Sequence, residues 1–250
     1  MGENVTYGGY LRLKELLGAQ APQSSEHDEL LFVILHQTME LWMKQIIHEI
    51  GAAQTAIRAG DLVPAYKNLA RVSRIQAVMT QTWDILATMT PADYLRFREL
   101  LGTSSGFQSW QFRVLEYKLG IKDPAFLTFH AEGSAERRAL DAALAGPSLY
   151  DDVRAQLAAH GFNVEDSAAV EAAWLEVYRD TAKYWSLYQL AEKLLDLDDA
   201  LLTWRHKHVL TVERIIGRKR GTGGTDGVGY LQQTLARRAF PELWSLRTKL

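Results

Sequence analysis

The chain has 250 residues, 47% of them hydrophobic, with 28 basic against 30 acidic side chains and no cysteine. That length buries a sizeable core as one domain, 1–250, and the near-neutral balance gives no electrostatic case for nucleic acid or an anionic membrane. Without cysteine there are no disulfides, thiolate metal sites or cysteine nucleophiles.

The N-terminal stretch MGENVTYGGYLRL lacks the basic-then-apolar layout of a signal peptide. The longest unbroken apolar run, LLFVIL at 30–35, is far too short to span a bilayer, so a soluble, cytoplasmic protein is expected. Ser25, with Asp28 three residues on, resembles a capping box, and the apolar residues after it continue to Ile50 before Gly51. The run at 30–35 is apolar all round its helix and must be covered on every side, by the centre of a bundle or by a subunit interface. Asp61 and Pro64 open a second amphipathic stretch that ends near Met89. Thr90-Pro91-Ala92-Asp93 then supplies an N-cap, a first-turn proline and an acidic third position, and Gly102 closes that helix.

Residues 121–164 hold shorter helical pieces broken by Gly133, Gly146-Pro147 and Gly161. From Asp166 to Ile216 there is neither proline nor glycine, which predicts one very long helix or two with a slight break. No convincing period-2 segment and no repeat is visible. The predicted architecture is all-α, a bundle of long antiparallel helices with shorter ones around it.

Three features carry chemistry. His206 and His208 sit two residues apart, and at about 100° per residue they cannot share a helix face. His208 lies in an apolar stripe with Trp204, Val212 and Ile215, so it is the inward one. A lone buried histidine is more often a hydrogen-bonded core group than a ligand. His36 is a second histidine in an apolar helix, with Phe32 at i−4 and Met39, Glu40 and Met43 at i+3, i+4 and i+7. Two such residues on separate helices can be paired core groups, metal ligands or the two sides of a cofactor pocket. A dinuclear carboxylate site wants Glu-x-x-His pairs, but Val33 and Arg205 stand at the i−3 positions. No third ligand for a mononuclear zinc is evident. A planar cofactor with one axial imidazole needs only one strong ligand and an apolar slot.

Tyr94 and Arg98, spaced i, i+4, share a face, and an arginine fork beside a tyrosine hydroxyl suits a carboxylate. The glycine-rich segment RKRGTGGTDGVG at 218–229 lacks a Gly-Lys-Ser/Thr ending and follows a helix, so it is not a nucleotide loop. It reads either as a lid bringing backbone amides and Thr222 to a ligand or as a surface connection.

Taken together, YGGYLRLKELL, SEHDELLFVILHQTMELWMK, RFRELLGTSSGFQSWQFR, WRHKHVLTVERIIGRKRGTGGTDGVGYL and FPELWSLRT resemble the tryptophan 2,3-dioxygenase family over nearly the whole chain. The resemblance implies haem b, ferrous in the active form, within the bundle. It implies dioxygen insertion across the indole 2,3 double bond of L-tryptophan, giving N-formylkynurenine. His208 matches the proximal iron ligand, and His36 the distal histidine beside the indole nitrogen. Arg98, Tyr94 and Thr222 match groups that meet the amino-acid end of the substrate. Phe32 matches a wall of the pocket, Ser105 a distal polar residue, and Trp83 a tryptophan on the proximal side. Tyr7, Tyr10, Leu11 and Lys14 match a segment, within 1–17, that reaches a neighbouring subunit's pocket in an implied homotetramer. The alternatives are a related haem-dependent indole oxygenase and a non-catalytic haem-binding bundle.

Overall fold

The computed structural model describes residues 5–219 and 227–250. Two short helices, α1 (Tyr7–Tyr10) and α2 (Leu13–Leu17), lead into α3 (His27–Arg58), α4 (Leu62–Leu86) and α5 (Pro91–Phe97). After α6 (Trp110–Leu119) come α7 (Ala135–Ala145), α8 (Leu149–Ala159), α9 (Ser167–Arg179) and α10 (Trp185–Ile216). α11 (Val228–Thr234) and α12 (Pro241–Ser245) close the chain, and no strand occurs among the described residues. None of the described helices is long and apolar enough to cross a membrane.

The core is one apolar seam. α4 packs along both α3 and α10 through Ile46, Ile50, Ile57, Leu69, Val72, Leu190, Leu194 and Leu197, all buried. Each such side chain contributes about 1.5–3 kcal/mol on full burial, so this seam fixes the helix pairing. α3 and α4 are joined by three residues and are antiparallel. α4 and α10 run in the same direction, because the hydrogen bonds Tyr66–Ser186 and Gln76–Leu197 and the ion pair Asp84–Lys207 advance together along both helices. The chain between them crosses back through α5 to α9.

Local signals explain most boundaries. Thr90 and Asp93 form a reciprocal capping box around Pro91, as the sequence predicts. α10 stops at Gly217, whose φ of 62° and ψ of −146° only glycine adopts without strain. The Asp198 carboxylate, fully buried in α10, accepts hydrogen bonds from the Ala239 and Phe240 amides and the Trp244 indole N–H. That clamp fixes the C-terminal segment against the bundle.

Several expectations are corrected. The first long helix caps at Glu26, not Ser25, and no side-chain capping bond is made. It runs through Gly51 to Arg58, because Ala53, Gln54 and Ile57 continue the buried stripe and outweigh the glycine. For the stretch 166–216 the second of the two expected arrangements holds: it is two helices, α9 and α10, separated at Asp180–Tyr184, where the Asp180 side chain accepts from the Lys183 amide and closes a turn. The run 30–35 is no correction: of the two covers expected for it, the bundle centre is not supplied in full by the single chain, where Leu30 and Ile34 are each almost half exposed.

Candidate functional site

Three helix segments and one short helix converge on a cleft. The N-terminal part of α3 brings Phe32 and His36, and the end of α4 brings Trp83 and Leu86, with Met89 just beyond. α5 adds Tyr94, and the C-terminal part of α10 adds His208, Thr211, Val212, Ile215 and Ile216. A cavity of about 110 Å³ lies between these walls. Most of the lining is apolar, and the two imidazoles are its titratable nitrogen bases.

The histidines are held differently. The Nδ1 of His36 lies 2.7 Å from the Phe32 carbonyl oxygen. A carbonyl only accepts, so Nδ1 carries the proton and Nε2 keeps a free lone pair. The Phe32 ring packs 4.2 Å from the imidazole and also touches Tyr94 and Phe97, which stiffens this wall. Burial lowers the pKa of His36 below its ordinary 6.5, against smaller upward pulls from the Phe32 carbonyl and Glu40. His36 is therefore neutral at pH 7. Glu40, one turn on, is held by Ser109 and Gln111.

His208 is stacked face to face with Trp83 at 4.5 Å and 9° between planes, and Trp204 packs 5.4 Å away. Neither ring nitrogen of His208 makes a hydrogen bond among the described residues. Burial first, then the nearby His36 and Arg113, lower its pKa to about 4. A neutral imidazole with an uncommitted lone pair, held in one plane by an indole, is the form in which histidine binds a metal. His206, by contrast, is exposed.

Could this chain bind a bare ion with its own ligands? No group of three or more His, Asp or Glu side chains suited to a metal occurs among the described residues. The described residues therefore suit a metal that brings most of its ligands with it. A planar macrocycle with four of its own nitrogens meets that condition and fits an apolar slot with one strong axial base. The residues present therefore fit haem.

Tyr94 is buried, and its hydroxyl and the Arg98 guanidinium are hydrogen-bonded to each other. Burial raises the Tyr94 pKa, with a smaller opposing pull from Arg98. Arg98 sits at the C-cap of α5, where the chain tightens into a 3₁₀ turn over Arg98–Leu101, so it is half-buried at the edge of the site. Ser105 caps the 3₁₀ turn Gly106–Gln108 by a reciprocal box with Gln108 and is not part of the cleft wall. Tyr7, Tyr10 and Leu11 are exposed and do not reach this chain's own cleft. Thr222 lies outside the described residues. Leu86, Met89 and Thr211 line the cleft without having been singled out in the sequence; the i, i+3 spacing of Trp83 and Leu86 is the signal that marks the first of them.

Comparison with known proteins completes the description. The family profile described as tryptophan 2,3-dioxygenase matches residues 1–141 and 145–250. The chain is 65% identical over 263 aligned residues to tryptophan 2,3-dioxygenase of Caulobacter vibrioides, with 100% of each chain covered. It is 52% identical over 261 aligned residues to the protein of that name from Bacillus cereus, covering 99% of this chain and 94% of the relative. The Ralstonia pickettii protein of the same name is 51% identical over 261 aligned residues, covering 99% and 94%.

Proposed function

The chain belongs to the tryptophan 2,3-dioxygenase family, and from that membership we infer that it inserts both atoms of dioxygen into L-tryptophan. The indole C2–C3 bond is cleaved, each carbon gains one oxygen, and N-formylkynurenine results. Substrate and dioxygen together account for every atom of the product, so no external reductant is consumed.

We further propose that the cleft would hold haem through the His208 imidazole. When bound, haem would supply the dioxygen chemistry. The observation that carries this reading is the uncommitted, neutral His208 imidazole stacked on Trp83 in an apolar cleft. Trp83 restrains the ring plane, which favours a single ligand geometry over a range of them. On the other wall, the free Nε2 of His36 is an acceptor for the indole N–H, and Phe32 packs against the flat substrate. Arg98, with Tyr94 beside it, supplies a charge-assisted contact for the amino-acid carboxylate. Family membership assigns Thr222 to the amino-acid end of the substrate as well. Ser105, which family membership would place near the haem, does not line the cleft of the single chain.

Self-assembly is part of the same proposal. Tyr7, Tyr10, Leu11 and Leu17 are exposed in a segment whose two helices bury nothing, and Leu30, Ile34 and Leu41 leave an apolar strip open on α3. A homotetramer in which the N-terminal segment covers a neighbour's cleft would bury both surfaces. The test of the activity is direct. Haem-loaded, anaerobically reduced protein given L-tryptophan and then dioxygen should lose tryptophan and gain N-formylkynurenine absorption; unchanged tryptophan contradicts the proposal.

A further inference from the structure

Arg205 stands one turn before His208 on α10 and is 3% exposed. Its Nη2 donates to Glu116 Oε1 at 2.6 Å, and its Nη1 donates to the Arg237 and Thr234 carbonyls at 2.9 and 3.2 Å. Glu116 is also buried, and its other oxygen accepts from Arg113 Nη1 at 2.5 Å. The Arg113 guanidinium lies over the Phe126 ring at 3.7 Å and beside Phe112, which packs against Trp204. Three charges are thus taken out of water to join α10, α6 and the turn after α11.

That is an expensive way to hold a core together. Breaking a buried pair is costly, yet well-packed apolar residues of similar volume often serve stability as well or better. What the network adds to apolar packing is a set of directional bonds. The guanidinium is a planar fork whose donors meet three acceptors on two other elements, so α10 can neither rotate nor slide without losing bonds. Residues three apart lie about 60° apart around the axis and about 4.5 Å along it. Whatever fixes the turn of Arg205 fixes the turn of His208. A rotation of about 10° displaces a side-chain group ~6 Å from the axis by about 1 Å, enough to spoil a metal–nitrogen bond.

We propose that Arg205 is a positioning residue for His208, setting through Glu116 and the 234–237 carbonyls the angle at which the imidazole is presented to the cleft. The proposal rests on His208 being the axial ligand. Arg113 completes the device by occupying the second oxygen of Glu116, which keeps that carboxylate from turning away.

The test uses haem-loaded protein and reads geometry as well as stability. Resonance Raman of the ferrous form gives the iron–imidazole stretching band, and transfer to excess apomyoglobin gives the rate of haem loss. Arg205→Met should shift and broaden the band and speed haem loss tenfold or more, while Arg205→Lys should restore part of both. Arg58→Met is the control. It breaks the buried-edge pair with Asp152, 22 residues beyond His36 on α3 and so about 33 Å along the axis. It should lower Tm and leave the band and the haem-loss rate at wild-type values. Should Arg205→Met fail to fold, Glu116→Gln keeps the shape and one acceptor oxygen, and should shift the band in the same direction by less. A wild-type band and haem-loss rate in folded Arg205→Met or Glu116→Gln, with Tm lowered, overturns the proposal: the network is then structural only. A band that survives His208→Ala overturns the ligand assignment itself and the proposal with it.

Discussion

Replacing His36 by alanine removes one acceptor and one ring from the wall facing His208. With Nδ1–H committed to the Phe32 carbonyl, the group lost to the substrate is the Nε2 lone pair. A neutral hydrogen bond is worth about 0.5–1.5 kcal/mol net, so kcat/KM for L-tryptophan should fall by about two- to twelvefold from that bond alone. Loss of the Phe32–His36 ring contact adds to this by letting the substrate settle in more than one pose. The assay is a comparison of L-tryptophan with 1-methyl-L-tryptophan, which has no indole N–H. Wild type should prefer tryptophan by at least the factor above, and the variant should lose that preference because it has no acceptor to satisfy. Haem should be retained, because His208 and Trp83 are untouched. A preference that is unchanged in the variant would refute the assignment of Nε2 as the partner of the indole nitrogen. The pH profile offers an independent check. Burial lowers the His36 pKa below 6.5, so the neutral acceptor persists as pH rises and is lost only on acidification past the depressed value. The limb of kcat/KM due to His36 should therefore lie below pH 6.5, and a limb centred above it would contradict the burial argument.

Other expectations follow from the same geometry. His208→Ala should abolish or severely weaken haem retention, while exposed His206→Ala should leave the Soret band nearly intact; the reverse pattern overturns the helix phase. Arg98→Leu should lower kcat/KM for L-tryptophan at least about tenfold, since a hydrogen bond to a charged group is worth roughly 1.5–3 kcal/mol. It should matter much less for tryptamine, and an equal loss for both would place the carboxylate elsewhere. Deleting residues 1–17 should weaken assembly and activity together, as read by analytical ultracentrifugation and turnover, and a fully active truncated monomer would refute the role given to that segment.

Much of this was legible in the sequence because it depended on local chemistry. The Thr90–Asp93 box forms as its residues dictate, and helix phase alone separates His208 from His206. Between Asp166 and Ile216 the absence of a helix breaker left one helix or two open, and the local contact of the Asp180 side chain with the Lys183 amide decides for two. What was not legible depends on distant partners. Gly51 looks like a stop, but the buried stripe continuing to Ile57 carries α3 through it. The parallel run of α4 and α10 follows from a crossover through five helices, which no periodicity records. Arg205 reads in sequence as one more charge near a histidine; its role depends on Glu116, 89 residues away. The Tyr94–Arg98 pairing was visible from spacing, though the tightening at Arg98 into a 3₁₀ turn was not.

The central claim is that this chain places both atoms of one dioxygen molecule on tryptophan. Haem-loaded, reduced protein should be given L-tryptophan under ¹⁸O₂ in ordinary water, quenched after a few turnovers, and the product weighed by mass spectrometry. N-formylkynurenine carrying two labelled oxygens is the predicted result. A product with a single labelled oxygen, at the mass of a hydroxylated or epoxidised indole, would contradict the claim.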